Sequence, residues 1–258
     1  MSNNITAIIQ ARMRSTRLPG KTLMQLAGKP VVLHLIDRVR AVDLIDRIIV
    51  AISNSAEDDV LENFLNSQGV LVYRGSEADV LSRFAGATRA LIPEEEWDSG
   101  AVVRLTADDP VKDPSVMGAV IKEFIKLPGT WDYVCNNQPP WLPEGQDSEI
   151  VSIQALLRAD ELSISPYERE HVTPYFYHNS HEFRCHSLHG TPDLSGNRWT
   201  LDTEKDMDFF TEVFSHFSDN SMPRMQEILD LLEQKPEIRA LNSNVVRSSL
   251  YLSDTGNS

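Results

Sequence analysis

Thr6-Ala7-Ile8-Ile9-Gln10, continuing into Ala11-Arg12-Met13-Arg14-Ser15-Thr16-Arg17-Leu18-Pro19-Gly20-Lys21-Thr22, is the stretch whose reading decides the fold. The first five residues are mostly apolar and β-branched, the pattern of a short strand buried on both faces. The next twelve bring three arginines, a lysine and a Pro-Gly pair, so the chain leaves the strand in a cationic loop. Working outward, the same alternation repeats. Strands are predicted over 47–52, 70–73, 101–105 and 132–136, and helices over 30–40, 56–68, 79–91 and 114–127. This βαβα rhythm predicts a three-layer α/β chain, a mostly parallel sheet covered by helices on both faces. Ligands on such sheets bind in the loops at the carboxyl ends of the strands, where this loop lies.

The rhythm breaks at 138–145, a Pro- and Trp-containing excursion, and is less regular through 148–152, a helix near 153–162 and 183–188. It resumes with a strand at 198–201 and amphipathic helices at 204–217 and 222–235. The simplest organisation is one domain over 1–258, with an inserted lobe at about 138–196 and a polar tail at about 242–258.

Of the 258 residues, 41% are hydrophobic and 24% charged, which fits a globular chain rather than a disordered one. No apolar run approaches the roughly 20 residues of a membrane helix, and the first residues carry no export leader. Two cysteines, Cys135 and Cys185, make neither a disulfide framework nor a thiolate cluster. A reduced, cytoplasmic protein is expected, away from membranes. The net charge of −14 argues against wrapping nucleic acid. Residues 1–36 nevertheless hold Arg12, Arg14, Arg17, Lys21 and Lys29 and no acid, where an even spread of the 38 acids would place about five. One basic pocket on an acidic protein suggests a small anionic ligand; a solvated basic loop is the plainer alternative.

The end of the loop, Gly20-Lys21-Thr22, invites a P-loop reading. That motif needs Gly at position 15, where Ser15 stands, and a backbone N–H before the second glycine, where Pro19 has none. Several guanidinium groups and an ammonium can still enclose a triphosphate without it.

Ile8–Lys21 resembles the signature loop of the cytidylyltransferases that activate acidic sugars, above all the spore coat polysaccharide biosynthesis protein F group, related to acylneuraminate and 3-deoxy-manno-octulosonate cytidylyltransferases. The resemblance continues in order through Arg104-Leu105-Thr106-Ala107-Asp108-Asp109-Pro110, Gly145-Gln146-Asp147-Ser148-Glu149-Ile150, Glu168–Tyr175 and Arg198–Asp206, covering about residues 5–215. It implies the nucleotide-diphospho-sugar transferase (Rossmann-like) fold. It also implies transfer of a cytidylyl group from CTP to an acidic or related sugar with release of pyrophosphate, for surface polysaccharide or glycan synthesis. Gln10, Ala11, Arg12, Ser15, Arg17, Lys21, Thr106 and Ala107 are then the nucleotide contacts, with Arg12, Arg17, Lys21 and Asp108 catalytic. Asp147, Glu149 and His171 are the acceptor contacts, Glu149 as base or hydrogen-bond acceptor. Two departures stand out: family members often carry Gly at Ala107 and Cys at Asp109. The first bears on strictness for CTP; the second adds a carboxylate that either supports the site or is solvated.

Asp108 and Asp202 lie 94 residues apart, each after a short apolar segment. Projecting into one crevice, they would hold Mg²⁺, or Mn²⁺, together with phosphate oxygens. Each can equally be a helix N-cap, and the roles can coexist. Five histidines fall between 171 and 189, and His178-x-x-His181 has a zinc-compatible spacing without further ligands; surface histidines are expected. Tyr175, Phe176 and Tyr177 read as packing. Trp141 among prolines reads as an exposed aromatic that packs on a second copy, so a homodimer is expected. A metal-dependent glycosyltransferase of similar GT-A-like architecture, a nucleotidyltransferase using another nucleoside triphosphate, and a non-enzymatic ligand-binding or scaffold protein are the alternatives.

Overall fold

The computed structural model describes residues 4–219 and 221–245. The first half of the chain runs β1 (Ile5–Gln10), β2 (Gln25–Leu26), β3 (Lys29–Pro30), α1 (Val31–Arg40), β4 (Arg47–Ser53), α2 (Asp59–Ser67), β5 (Leu71–Gly75), α3 (Val80–Leu91), β6 (Ala101–Thr106) and α4 (Pro114–Ile125). The second half continues with β7 (Tyr133–Cys135), β8 (Glu149–Ser152), α5 (Ile153–Leu162), α6 (Pro166–His171), α7 (Pro174–His178), β9 (Cys185–Ser187), α8 (Glu204–Ser215), α9 (Met225–Gln234) and α10 (Pro236–Ala240).

Seven strands form one sheet in the order β5-β4-β1-β6-β8-β7-β9, and β2 and β3 make a separate two-stranded ribbon. β5, β4, β1 and β6 are parallel, as the alternation predicts; β8 is antiparallel to both its neighbours. The stretch expected as an inserted lobe, about 138–196, contributes β8 and β9 to this same sheet. From residue 246 onward, the expected polar tail lies outside the described residues.

Strand periodicity sorts the core. Ala7 and Ile9 of β1 face a cluster formed with α1, α2 and α4, while Ile8 faces a cluster formed with α3 and α5. A third cluster joins α8, α9 and α10 to Leu18, Leu26 and Val31, and so pins the base of the cationic loop to the end of the chain. Tyr175 and Phe176 are buried in the second cluster, as packing residues.

Two expectations need correction. Residues 198–201 are not a strand: Arg198 makes a single bridge with Glu144, and the backbone bonds go to loops, Trp199 N to Glu144 O at 2.8 Å and Leu201 N to Asp108 O at 2.8 Å. The buried Trp199 gave this segment its strand-like composition. Trp141 is not an exposed aromatic either. It is half-buried, its Nε1 donates to Leu188 O at 2.9 Å, and a Cβ on Gly190 would meet its ring at 2.4 Å, so it packs within its own chain.

Candidate active site

β1 and β6 are neighbours in register, with Gln10 beside Thr106, and Ala107 N donates to Gln10 O at 3.1 Å. The loops that leave these two strands therefore start side by side. The first is closed on itself. Gly20, at φ 75° in the left-handed region, donates its N–H to Met13 O at 3.0 Å, and Thr22 Oγ1 donates to Arg12 O at 2.8 Å. Met13 N donates to the buried Asp58, and Leu18 is anchored in the third core cluster. The backbone is thus fixed, and the arginines radiate from it.

The second loop carries Asp108, and the bond from Leu201 N to Asp108 O brings Asp202 beside it. Lys21 Nζ joins them, donating to Asp108 Oδ2 at 2.6 Å, Asp202 Oδ1 at 2.8 Å and Leu201 O at 2.8 Å. Arg17 and Arg198 take the other oxygen of Asp202, at 2.9 and 2.8 Å. Burial pushes the Asp202 carboxyl up, but Lys21, Arg17 and Arg198 outweigh it and hold the group below the usual carboxylate range. The Lys21 ammonium is destabilised by burial, yet Asp108 and Asp202 raise its pKa overall. Neither aspartate caps a helix. Thr203 caps α8 in a capping box with Asp206, and Asp113 caps α4.

Two cavities meet at this carboxylate pair. The first, about 390 Å³, is lined by all eight residues read as nucleotide contacts, Gln10, Ala11, Arg12, Ser15, Arg17, Lys21, Thr106 and Ala107. The second, about 620 Å³, contains Asp147, Glu149 and His171. Gln10, Thr106, Asp108, His171 and Asp202 line both. Volumes of this size suit small ligands.

The geometry refines several readings. Both Glu149 oxygens are engaged, Oε2 by Arg104 Nη1 at 2.6 Å and Oε1 by the Tyr133 hydroxyl at 2.5 Å, so its hydrogen bonds secure Arg104 in the wall of the second cavity. Burial and then Glu149 push the Tyr133 phenol well above its ordinary range, which keeps it a donor. Asp109 is buried, not solvated. It accepts from Thr106 Oγ1 at 2.9 Å and pairs with Lys112 at 3.3 Å, and burial pushes its carboxyl up to about 7. Lys112 in turn donates to the Asp147 carbonyl and ties that loop down. His178 contacts Glu168 and His181 contacts Glu182; among the described residues no three His, Cys, Asp or Glu side chains converge as a metal site.

Arg104, Arg83, Glu77 and Arg198 were not singled out by sequence reasoning. Arg83 is buried in the wall of the first cavity with no carboxylate partner among the described residues, donating to Ser76 O at 2.5 Å; burial lowers its pKa to about 10. Glu77 faces Arg12 at 3.7 Å and Arg14 at 4.0 Å across that cavity's rim. For Arg104 a signal existed: a charged residue inside an otherwise apolar central strand is seldom idle.

The family model described as cytidylyltransferase matches residues 6–244. The chain belongs to the cytidylyltransferase family. This membership sets aside the glycosyltransferase and scaffold alternatives. An uncharacterized protein of Methanocaldococcus jannaschii is 34% identical over 247 residues, 95% of this cytidylyltransferase and 97% of that chain. The spore coat polysaccharide biosynthesis protein SpsF of Bacillus subtilis is 29% identical over 242 residues, 91% and 96% of the two chains. The structure of a cytidylyltransferase from Leptospira borgpetersenii superimposes with a TM-score of 0.84 at 26% identity, covering 95% of this chain and 98% of that one. The nucleotide-sugar transferase fold expected from the sequence is thereby established, the mostly parallel seven-stranded sheet included.

Proposed function

We propose that this cytidylyltransferase moves the cytidylyl group of CTP onto an acidic sugar and releases pyrophosphate, in the synthesis of a surface polysaccharide. One observation carries the reading: a cavity walled by the cationic loop and a second, larger cavity meet at Asp108 and Asp202. A donor and an acceptor held there face each other across the carboxylates, and positioning of this kind supplies much of the catalysis in phosphoryl-type transfers. The likeness to SpsF supports a polysaccharide setting.

Arg12, Arg17 and Lys21 hold the triphosphate and neutralise the departing pyrophosphate. The carboxylates suit a divalent ion: Asp108 Oδ2 and Asp202 Oδ1 point at one position, both within 2.8 Å of the same nitrogen, with Leu201 O beside them. All three are hard oxygen donors, the set Mg²⁺ or Mn²⁺ takes. When bound there, such an ion neutralises phosphate charge and polarises the α-phosphate. Asp147 and His171 contact the acceptor, and Arg104, oriented by Glu149, offers a cation to its carboxylate. Cytoplasmic placement and pairing with a second copy belong to the same proposal. Among the described residues no helix is long and apolar enough to cross a membrane.

The experiment is a screen of CTP, GTP, UTP and ATP against a panel of acidic sugars, read by pyrophosphate release. Release with CTP and one acidic sugar is expected. Release with another triphosphate alone would transfer the assignment to that nucleotide, and none with any acidic sugar would remove the acceptor class.

A further inference from the structure

Lys21 sits in an unusual place for a phosphate-binding lysine. Its side chain is only 13% exposed, and three oxygens surround its ammonium: Asp108 Oδ2 at 2.6 Å, Asp202 Oδ1 at 2.8 Å and Leu201 O at 2.8 Å. These are the oxygens that the proposed function gives to the divalent ion. An ammonium and a divalent cation cannot share them, because like charges about 3 Å apart repel strongly at any dielectric found inside a protein.

We infer that Lys21 holds the metal's place: in the nucleotide-free enzyme it bridges Asp108 and Asp202 and keeps the divalent ion out, and it yields the site when a triphosphate draws its ammonium away. The inference rests on the cytidylyl-transfer reading of this site. It makes metal entry follow, or accompany, nucleotide binding.

Three features carry it. First, Asp108 Oδ2 and Asp202 Oδ1 converge within 2.8 Å of one point, and two carboxylates so placed repel each other unless a cation lies between them. Among the described residues Lys21 is the one cation paired with Asp108. Second, the division of labour on Asp202 is ordered. Arg17 and Arg198 occupy Oδ2, and Arg198, locked in turn by Glu144 and Asp206, holds the carboxylate in place while Oδ1 is left to Lys21. Third, the place-holder is a lysine. A compact charge on a flexible four-carbon stem can swing, whereas a guanidinium fork fixed by several bonds cannot do so as readily. Lys21 already lines the first cavity, and the closed loop beneath it stays still while the side chain moves.

The test uses Mn²⁺ and the full chain, with bound ion read by electron paramagnetic resonance and water-proton relaxation, and folding checked by circular dichroism. Without nucleotide, Lys21→Met and Lys21→Ala should bind Mn²⁺ about 10- to 100-fold more tightly than the parent, the scale on which groups around a metal tune its affinity. Lys21→Arg, which keeps a cation, should stay close to the parent. Adding Asp108→Asn to Lys21→Met should erase the gain. The parent should acquire enzyme-bound Mn²⁺ once CTP is added. A folded Lys21→Met that binds no more tightly than the parent, a gain that survives Asp108→Asn, or a parent that binds Mn²⁺ equally with and without CTP overturns the inference. The nucleotide-free titration requires no turnover, so its failure is separate from a failure to release pyrophosphate from CTP.

Discussion

Asp202 accepts from Lys21 on one oxygen and from Arg17 and Arg198 on the other, and this sharing governs what its loss would do. Its depressed pKa means that the ion pairs contribute fully above the ordinary carboxylate range and are lost as pH falls below it. Asp202→Asn keeps the shape and removes the charge. Turnover should fall by about 10²–10³ while the fold survives with a lowered melting temperature. Asp108→Asn should cost as much, and the double variant little more, because groups that serve one ion act as a unit. Excess chelator should abolish pyrophosphate release and added Mg²⁺ restore it. Activity in excess chelator, or fully additive losses, would remove the shared site. Both aspartates were picked out in the sequence, from the apolar segments before them together with the family resemblance. Their contact with Lys21 was not: it spans 87 and 181 residues, and no local pattern encodes which of a loop's cations turns inward.

At the scale of elements, the segment before Asp202 depends on the loop before β8. Gly145 has φ 97°, and a Cβ there would stand 2.4 Å from Trp199 O and 3.2 Å from Asp109 Oδ1. Gly145→Ala must therefore push residues 198–202 away and carry Asp202 off Asp108. Turnover should drop more than tenfold, along with a loss of about 1–3 kcal/mol in stability from backbone strain. Gly129→Ala is the control: it has φ 73° but nothing within 4 Å of the added carbon, so it should show similar strain and unchanged turnover. Kinetics and chemical denaturation on both variants decide it; equal turnover would show that the 145–199 contact positions nothing. Helices α1 to α5, α8 and α9 and the parallel strands β1, β4, β5 and β6 followed from periodicity and caps, whereas the short α6, α7 and α10 did not. The segment at 198–201 did not, because a buried tryptophan in extended backbone looks the same whether its partners are strands or loops.

Across the whole molecule, the parallel half of the sheet was written in the alternation, whereas the antiparallel insertion of β8 was not, since pairing direction depends on where a long excursion returns. The same folding back builds the wall of the second cavity, so that cavity was the less legible half of the candidate site. The third core cluster ties these parts together, and a buried histidine packs against it. His34 of α1 is 5% exposed, shares a hydrogen bond of 2.7 Å between its Nε2 and Leu26 O in the ribbon, and packs 4.9 Å from the Phe214 ring of α8. Burial, aided by Lys29 and Arg38, lowers its pKa to about 4, against the opposing pull of the Leu26 bond and Asp37. The fold thus favours the neutral ring. Above pH 6.5 neither the folded nor the unfolded chain protonates it, and its full contribution is present. Between 6.5 and about 4 the unfolded chain takes up a proton that the folded chain refuses, so stability is lost as pH falls. The loss attributable to this one group reaches about 3 kcal/mol. His34→Gln cannot take up that proton. Chemical denaturation at pH 7.5 and pH 4.5 should show a smaller fall in stability for the variant than for the parent, by up to about that amount, even if the variant starts lower at pH 7.5. Parallel falls in the two proteins would place the acid sensitivity elsewhere and leave His34 a packing residue only.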